Sequence, residues 1–222
     1  MEIKALLFDL DGTLADTQNL HAESESAVLQ EVAKVSLNAD RITEKYAGRV
    51  DTQLFQEILQ NEGLSADPSL VERLVLAKWR EVERRLAEEN ILEIPGAVAF
   101  VRSVTGLPCA LASSSPLAFI EAVLQKLQIR SCFQALASGK EVARGKPAPD
   151  VFLLAADRLG VDPRHCLVWE DSSAGVQAAL AAGMQCVSVG PLSRAPPAHL
   201  HLADFLGRTW ESVQSHFPRA KS

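Results

Sequence analysis

The chain has 222 residues, of which 47% are hydrophobic and 23% are charged, and its formal net charge is −6. This length suits one large domain, or a core domain that carries an inserted subdomain. The acidic balance and the lack of a basic block argue against a protein that binds nucleic acid or an anionic membrane.

We expect neither a targeting segment nor a membrane span nor disulfide bonds in this chain. No segment approaches the roughly 20 apolar residues of a membrane span, and the first apolar run is interrupted by Asp9 and lacks the cleavage region of a signal peptide. The cysteines are far apart, each in or beside an apolar run, which is typical of buried small hydrophobic residues rather than disulfides or metal ligands. They are Cys109, Cys132, Cys166 and Cys186. We therefore expect a cytoplasmic protein without a membrane partner.

The first predicted element is a buried strand, Ala5 to Phe8, that ends in charge. Asp9 and Asp11 follow it directly, and Gly12 permits a sharp departure of the backbone. An ordinary Asp-Gly turn needs one of these carboxylates and gains nothing from a second that repels the first. Paired carboxylates at a strand end instead suit a divalent cation, a covalent nucleophile and a proton shuttle.

The segment Asp9-Leu10-Asp11-Gly12-Thr13-Leu14-Ala15-Asp16-Thr17 resembles the first motif of the haloacid dehalogenase superfamily of phosphotransferases. Later segments resemble its later motifs in order, so the resemblance spans nearly the whole chain. Within the superfamily, the sequence is most similar to the branch of small-sugar phosphatases and beta-phosphoglucomutase. The resemblance implies an α/β fold with a Rossmann-like, doubly wound parallel sheet, an inserted all-α cap and Mg²⁺.

Residues 17–92 predict helices and no convincing strand, whereas strands and helices alternate from Ile94 onward. The predicted helices run from Thr17 to about Val35, from Asp51 or Thr52 to Asn61, and from Pro68 toward Ala87. We interpret residues 1–16 plus 93–222 as the core and residues 17–92 as an inserted cap, in the placement that the family calls a C1 cap.

Four cap residues are candidates for substrate contact. Spacing alone favours a solvated helix histidine for His21, but the family branch often carries a histidine near the substrate at this place. Arg49, Lys78 and Arg80 could contact a second polar group of a substrate. The alternative for each is a solvated charge on a helix or loop.

The second strand, Pro108 to Ala112, leads into Ser113-Ser114-Ser115 and a helix that Pro116 opens. The serines could simply cap this helix. A helix N-terminus with hydroxyl groups after a parallel strand is also an anion site, and the resemblance implies that Ser113, with Ser114 beside it, binds phosphate.

A third strand from Phe133 to Ala137 precedes a loop that contains Gly145-Lys146-Pro147, after which Asp150 could cap a helix that ends at Leu159. A lone loop lysine is usually solvated, but the resemblance implies that Lys146 is the lysine of the catalytic site.

The fourth strand, Cys166 to Trp169, ends in Glu170 and Asp171, which would repel each other strongly without a cation or donors. The remaining predicted elements are a helix from Val176 to Ala182, a strand from Gln185 to Val189, a short edge strand over Ala203 to Phe205 and a helix from Trp210 to His216.

Each candidate core residue lies after a predicted strand. In a parallel doubly wound sheet these strand ends meet at one edge, where ligands bind. This is a geometric reason, independent of the family, to expect one site.

The chemistry that fits this site is phosphoryl transfer through an aspartyl phosphate. We expect Asp9 to be an ionised nucleophile and Asp11 to be the general acid and base. The expected phosphate ligands are Ser113, Ser114 and Lys146. The expected Mg²⁺ ligands are Asp9, the Asp11 main-chain carbonyl, Asp171 and, directly or through water, Glu170.

The expected function is Mg²⁺-dependent hydrolysis of a small phosphorylated metabolite, a sugar or polyol phosphate, by a monomer or weak homodimer. The alternatives are a phosphomutase and a non-catalytic regulatory protein on the same fold. The mutase pattern has an arginine three residues after a cap glycine and a lysine three residues after the strand-two serine. With Gly48 as that glycine, the corresponding residues here are Asp51 and Pro116, which favours the hydrolase.

Overall fold

The computed structural model describes residues 2–46, 49–191 and 196–217. The chain divides into two compact units. The core unit comprises the residues up to Asp16 and from Ile91 onward, and the helical unit comprises Thr17–Asn90.

The elements follow one another in a simple order: a strand, a helical block, and then alternating helices and strands. In chain order they are β1 (Ala5–Phe8), β2 (Ala15–Asp16), α1 (Gln18–Val28), α2 (Ala39–Tyr46), α3 (Asp51–Asn61), α4 (Pro68–Glu88), β3 (Leu92–Glu93), α5 (Ala97–Ser103), β4 (Cys109–Ser113), α6 (Leu117–Lys126), β5 (Ala135–Ser138), α7 (Asp150–Leu159), β6 (Cys166–Glu170), α8 (Ser173–Ala181), β7 (Gln185–Val189), β8 (Leu200–Leu202) and α9 (Trp210–Gln214).

Within the described residues, six strands form one sheet in the order β5-β4-β1-β6-β7-β8, and each neighbouring pair is parallel. The register pairs Phe8 of β1 with Leu111 of β4 and with Trp169 of β6. The carboxyl ends of β4, β1 and β6 therefore lie side by side. This parallel α/β sheet confirms the predicted Rossmann-like fold class.

Both faces of the sheet are covered, which explains why its central strands are continuous apolar runs rather than alternating ones. Ala5 and Leu7 of β1 belong to a buried cluster with Phe152 of α7. Phe8 points to the opposite face, where its ring stacks on Trp169 at a centroid distance of 5.9 Å. The period-two alternation of β1 thus supplies two separate cores.

The helical unit has its own core, built from one apolar stripe on each helix. Its fully buried side chains include Leu29, Phe55, Ile58, Leu59 and Leu74. The α4 helix begins with Pro68 at its first position, and the Asp67 side chain accepts hydrogen bonds from the main-chain N–H groups of Ser69 and Leu70. This start agrees with the prediction.

The two ends of the helical unit are joined to the core unit at a short antiparallel ladder. Ala15 of β2 pairs with Glu93 of β3, and Asp16 pairs with Leu92. The Ile94 N–H also donates to the Leu14 carbonyl over 2.9 Å. The chain therefore leaves the sheet and returns to it at neighbouring residues.

Two details of the helical unit differ from the expectation. The first helix was expected to end near Val35; its α-helical part ends at Val28, and a π-helical turn over Leu29–Ala33 continues it until Lys34 adopts a left-handed conformation. The α2 helix was not predicted. It begins where the Asn38 side chain accepts a hydrogen bond from the Arg41 N–H.

Two local predictions for the core unit were wrong. The edge strand is Leu200–Leu202 rather than residues 203–205, because Asp204 accepts a hydrogen bond from the Leu206 N–H and turns the chain away from the sheet. Asp150 does not cap α7, since its carboxylate is paired with Arg144 at 2.7 Å.

In the part of the chain that the structure describes, we found no helix with the length and apolar character needed to cross a membrane.

Candidate active site

The site forms where β1 and β6 end side by side. Asp9 follows β1, and its N–H donates to the Trp169 carbonyl over 3.0 Å, which extends the β1–β6 pairing by one residue. Glu170 is the last residue of β6. Asp9 and Glu170 are 5% and 1% exposed. Parallel pairing therefore brings together two buried carboxylates that are 161 residues apart in the sequence.

Lys146 lies between these two carboxylates. Its Nζ donates to Asp9 Oδ1 at 2.6 Å and to Glu170 Oε1 at 2.7 Å, and it also contacts the Ala112 carbonyl at 3.3 Å. The loop after β5 thus supplies a buried cation to the ends of β1, β4 and β6. The structure brings Lys146 to the acidic cluster, as the sequence predicted by position.

The acidic cluster carries more negative charge than one lysine can offset. One oxygen from each of Asp9, Glu170 and Asp171 lies within 4.8 Å of the others. Burial raises the pKa of Asp171 to about 7, and the charge of Glu170 adds to this effect. Burial likewise raises the pKa of Asp9 well above its usual range, although Lys146 opposes it. A bound cation would oppose this shift and favour the ionised form of Asp9.

This cluster fits a hard divalent cation, because it is buried, negatively charged and composed of oxygen ligands. Mg²⁺ prefers carboxylate, carbonyl and water oxygens in an octahedral shell, and Asp9, Glu170 and Asp171 offer three carboxylates within one small region. A dication would offset the mutual repulsion that raises the pKa of Asp171.

Asp11 is oriented by two serines from the end of β4. Its Oδ2 accepts hydrogen bonds from Ser113 Oγ at 3.1 Å and from Ser115 Oγ at 2.8 Å. Ser113 Oγ also accepts a hydrogen bond from the Ser115 N–H. The alternative that the serines cap α6 does not hold, because Pro116 takes the cap position and α6 has no side-chain cap. The hydroxyl groups of Ser113 and Ser115 are directed at Asp11 instead.

Gly12 and Thr13 fit the chain around Asp171. Gly12 has a φ of +86°, and a Cβ at this position would overlap the Asp171 carboxylate. The Thr13 hydroxyl donates to Asp171 Oδ1 at 3.2 Å. The turn after the first motif therefore needs glycine for two reasons, its backbone angle and the close carboxylate.

The other predicted phosphate ligand, Ser114, has an exposed side chain. Its main chain lies close to Gly139, where an added Cβ would come within 2.9 Å of the Ser114 Cα. Phosphate binding by Ser113, Ser114 and Lys146 stays a prediction.

Inside the helical unit, Lys78 lies in a buried ion pair. Its Nζ is 2.5 Å from Asp51 Oδ1 and 3.4 Å from Glu25 Oε1, and the residue is 3% exposed. The Trp79 Nε1–H donates to Asp51 Oδ2 at 2.8 Å. The interpretation of Lys78 as a solvated helix charge is therefore wrong.

The remaining cap candidates have different surroundings. The His21 ring makes an edge contact with the Trp79 ring at 5.6 Å. Arg49 pairs with Glu57 at 2.7 Å on the surface of the helical unit. Arg80 is exposed, and Gly48, the glycine of the mutase pattern, lies outside the described residues. Their roles toward a substrate stay predictions.

Sequence reasoning missed two polar residues of this site. Ser115 was considered as one of the capping or anion-binding hydroxyl groups before α6, without a contact to Asp11, and no role was assigned to Ser172. Ser172 donates to Glu170 Oε2 through its N–H at 2.7 Å and its Oγ at 2.9 Å. Its sequence signal was its position two residues after an acidic strand end, where a side chain can fold back on the preceding carboxylate.

Comparison with known proteins assigns the chain to a family. The family model described as haloacid dehalogenase-like hydrolase matches residues 3–183. The chain belongs to the haloacid dehalogenase-like hydrolases. Fructose-1-phosphate phosphatase YqaB of Escherichia coli (strain K12) is 34% identical over 192 residues, which cover 83% of this chain and 95% of that protein.

Solved structures of other proteins share the fold over nearly the whole chain. CbbY from Rhodobacter sphaeroides, solved in complex with phosphate, superposes with a TM-score of 0.84 at 26% identity and covers 96% of this chain and 99% of its own. Beta-phosphoglucomutase from Clostridium difficile superposes with a TM-score of 0.83 at 25% identity and covers 96% of each chain.

Proposed function

We propose that the protein is an Mg²⁺-dependent phosphatase that hydrolyses small phosphorylated metabolites through an aspartyl-phosphate intermediate. The observation that carries this proposal is the contact of Lys146 Nζ with Asp9 Oδ1 at 2.6 Å, beside a second aspartate, Asp11, that two serines orient. A nucleophile, a fixed cation and a separately held proton carrier are the parts that phosphoryl transfer through a carboxylate requires.

In the first step, an Asp9 oxygen attacks phosphorus, and the bond from phosphorus to the leaving oxygen breaks. Asp11 gives its proton to that oxygen, which departs as an alcohol. Lys146, whose Nζ contacts Asp9, stabilises the charge of the transferring phosphoryl oxygens. Ser113, at the end of β4, does the same once its hydroxyl group turns from Asp11 to these oxygens.

In the second step, Asp11 takes a proton from a water molecule whose oxygen attacks the phosphorus of the acyl phosphate. The bond between phosphorus and Asp9 breaks, and inorganic phosphate leaves. The bond from Ser115 keeps the Asp11 carboxyl group in one orientation, which both proton transfers need.

Asp9, Asp171, the main-chain carbonyl of Asp11 and Glu170 would hold the Mg²⁺ ion, which when bound supplies charge neutralisation for the phosphoryl group. The three carboxylates within 4.8 Å support this ligand set.

The helical unit would act as the cap that selects the leaving group and excludes water from the first step.

A sugar or polyol phosphate is the substrate class that we favour, because YqaB is a fructose-1-phosphate phosphatase. Phosphomutase activity is the second candidate, supported by the likeness to beta-phosphoglucomutase. We favour hydrolysis because of Asp51. If Gly48 is the glycine of the mutase pattern, Asp51 occupies the position of the mutase arginine, but it is an acid and pairs with Lys78.

The test is a panel of phosphorylated sugars, polyols and glycolate, assayed for release of inorganic phosphate with Mg²⁺ and with excess EDTA. We expect turnover of at least one sugar or polyol phosphate, its loss in EDTA and its recovery with Mg²⁺. Asp9→Asn should fold and release no phosphate, because an amide cannot form the intermediate. Full activity in excess EDTA, or in the Asp9→Asn variant, would contradict the proposal.

A further inference from the structure

The Glu170 side chain is held from two sides. Oε1 accepts a hydrogen bond from Lys146 Nζ at 2.7 Å, and Oε2 accepts two from Ser172, at 2.7 Å from its N–H and 2.9 Å from its Oγ. A carboxylate offers about four lone-pair sites, and these bonds occupy three of them. The two bonds from Ser172 determine which way the plane of the carboxylate is turned.

A glycine forms the wall behind this carboxylate. A Cβ built on Gly175 would overlap the Glu170 carboxyl group. Gly175 lies in the first turn of α8, where glycine has no advantage for helix stability. The close approach of Glu170 gives this position a reason to lack a side chain.

The Ser172 hydroxyl performs two separate tasks. It accepts a hydrogen bond from the Gly175 N–H at 3.0 Å, which caps α8. Its single proton is donated to Glu170 Oε2. Helix capping requires only the acceptor, so the donated bond needs another explanation.

That explanation lies in the neighbours of Glu170. Its carboxylate has an oxygen within 4.8 Å of oxygens of both Asp9 and Asp171. A rotation of this group would move a negative charge by ångströms inside a cluster that a cation must fit. Residues that orient metal-facing ligands commonly control metal affinity without touching the ion.

We propose that Ser172 is a positioning residue that sets the affinity of the site for a divalent cation, acting through the orientation of Glu170. The inference rests on the proposed function, which supplies Mg²⁺ as the cation. Gly175 leaves the space that this orientation of Glu170 occupies.

The experiment measures the dissociation constant of Mg²⁺ by calorimetry for the unsubstituted protein and for Ser172→Gly, Ser172→Ala, Ser172→Thr and Ser173→Ala. Glycine is tolerated at a helix N-cap, so Ser172→Gly removes the hydroxyl with little effect on α8. Threonine restores a hydroxyl at the same position. Ser173→Ala is the matched control, since Ser173 is exposed and its Oγ accepts a hydrogen bond from Gln177.

We expect Ser172→Gly and Ser172→Ala to weaken Mg²⁺ binding about tenfold or more, with Ser172→Thr and Ser173→Ala within about threefold of the unsubstituted protein. If Ser172→Ala does not fold, Ser172→Gly decides the question. Unchanged affinity in Ser172→Gly, or an equal loss in Ser173→Ala, would overturn this inference and leave the proposed function standing. Absence of Mg²⁺ binding by the unsubstituted protein would overturn both.

Discussion

The Lys78 ammonium group lies 2.5 Å from Asp51 Oδ1, and this ion pair joins the first turn of α3 to the middle of α4 inside the helical unit. Glu25 of α1 lies 3.4 Å from the same nitrogen. Burial raises the pKa of Glu25, and Lys78 opposes that shift. One buried lysine therefore compensates acids from two other helices.

Replacement of Lys78 should destabilise the protein strongly. Lys78→Ala would leave Asp51 and Glu25 buried without their cation, a loss of about 3–5 kcal/mol in the free energy of unfolding. Arg80→Ala, two residues further along α4 at an exposed position, should change it by less than about 0.5 kcal/mol. Urea unfolding measures both values, and equal stability of the two variants would refute the structural role of Lys78.

Replacement of Ser115 should slow catalysis more than it weakens substrate binding. Ser115→Ala removes the 2.8 Å hydrogen bond to Asp11 Oδ2, so the carboxyl group loses one of its constraints. A bond of this kind to a charged group contributes about 1.5–3 kcal/mol, which corresponds to a fall in kcat of about tenfold or more. Steady-state kinetics should show little change in KM.

Ser103→Ala provides the control for this variant. Its hydroxyl donates to the Phe100 carbonyl at the end of α5, so the same chemical change is made in the core unit without altering the contacts of Asp11. A kcat for Ser115→Ala equal to that of Ser103→Ala would exclude the orienting role.

The metal-free protein should be more stable at pH 5.5 than at pH 8. Burial raises the pKa of Asp171 to about 7, whereas the unfolded side chain loses its proton near the ordinary value of about 3.9. Between these values the folded state binds more protons than the unfolded state, so this contribution to stability is lost as pH rises from about 4 to about 7. The raised pKa of Asp9 acts in the same direction.

Thermal unfolding in EDTA at pH 5.5 and pH 8 measures this effect. Asp171→Asn should reduce the difference in Tm between the two pH values, and Mg²⁺ added at pH 8 should raise the Tm of the unsubstituted protein. An identical pH profile for Asp171→Asn and the unsubstituted protein would show that Asp171 does not titrate in this range.

One assay with beta-glucose 1-phosphate distinguishes phosphatase from phosphomutase activity. During incubation with beta-glucose 1-phosphate and a trace of glucose 1,6-bisphosphate, we expect inorganic phosphate to accumulate faster than glucose 6-phosphate. Pro116 and Asp51 occupy the positions where the mutase pattern has cations that would hold a second phosphate, and Asp51 is already paired with Lys78. Faster accumulation of glucose 6-phosphate would make the protein a mutase.

The sequence predicted the carboxyl ends of β1, β4, β5 and β6 to within one residue, because each of these strands is a short apolar run that stops at a charged or hydroxyl residue. Parallel pairing then placed Asp9 beside Glu170, and the loop after β5 brought Lys146 to both of them. The role of Ser115 could not be predicted in the same way. A serine before a proline fits a helix cap equally well, and only the folded chain shows that its hydroxyl turns back to Asp11.

The surroundings of Lys78 were also beyond the sequence. Helical spacing shows which face of α4 is apolar, but it does not show which acids of other helices will meet a lysine at the edge of that face. Asp51 and Glu25 are 27 and 53 positions away by their residue numbers. Such pairings depend on how helices cross, which local patterns do not determine.

The ladder between β2 and β3 makes the helical unit, from the viewpoint of the sheet, one very long hairpin loop. Ala15 pairs with Glu93 whatever the number of residues between them. The entropy of closing a loop grows only slowly with its length. We therefore expect that the helices can be lengthened, shortened or exchanged for another protein's helices at little cost in loop-closure entropy. If the helical unit selects the leaving group, as proposed, a chimera grafted at this ladder should take its chemistry from one parent and its selectivity from the other.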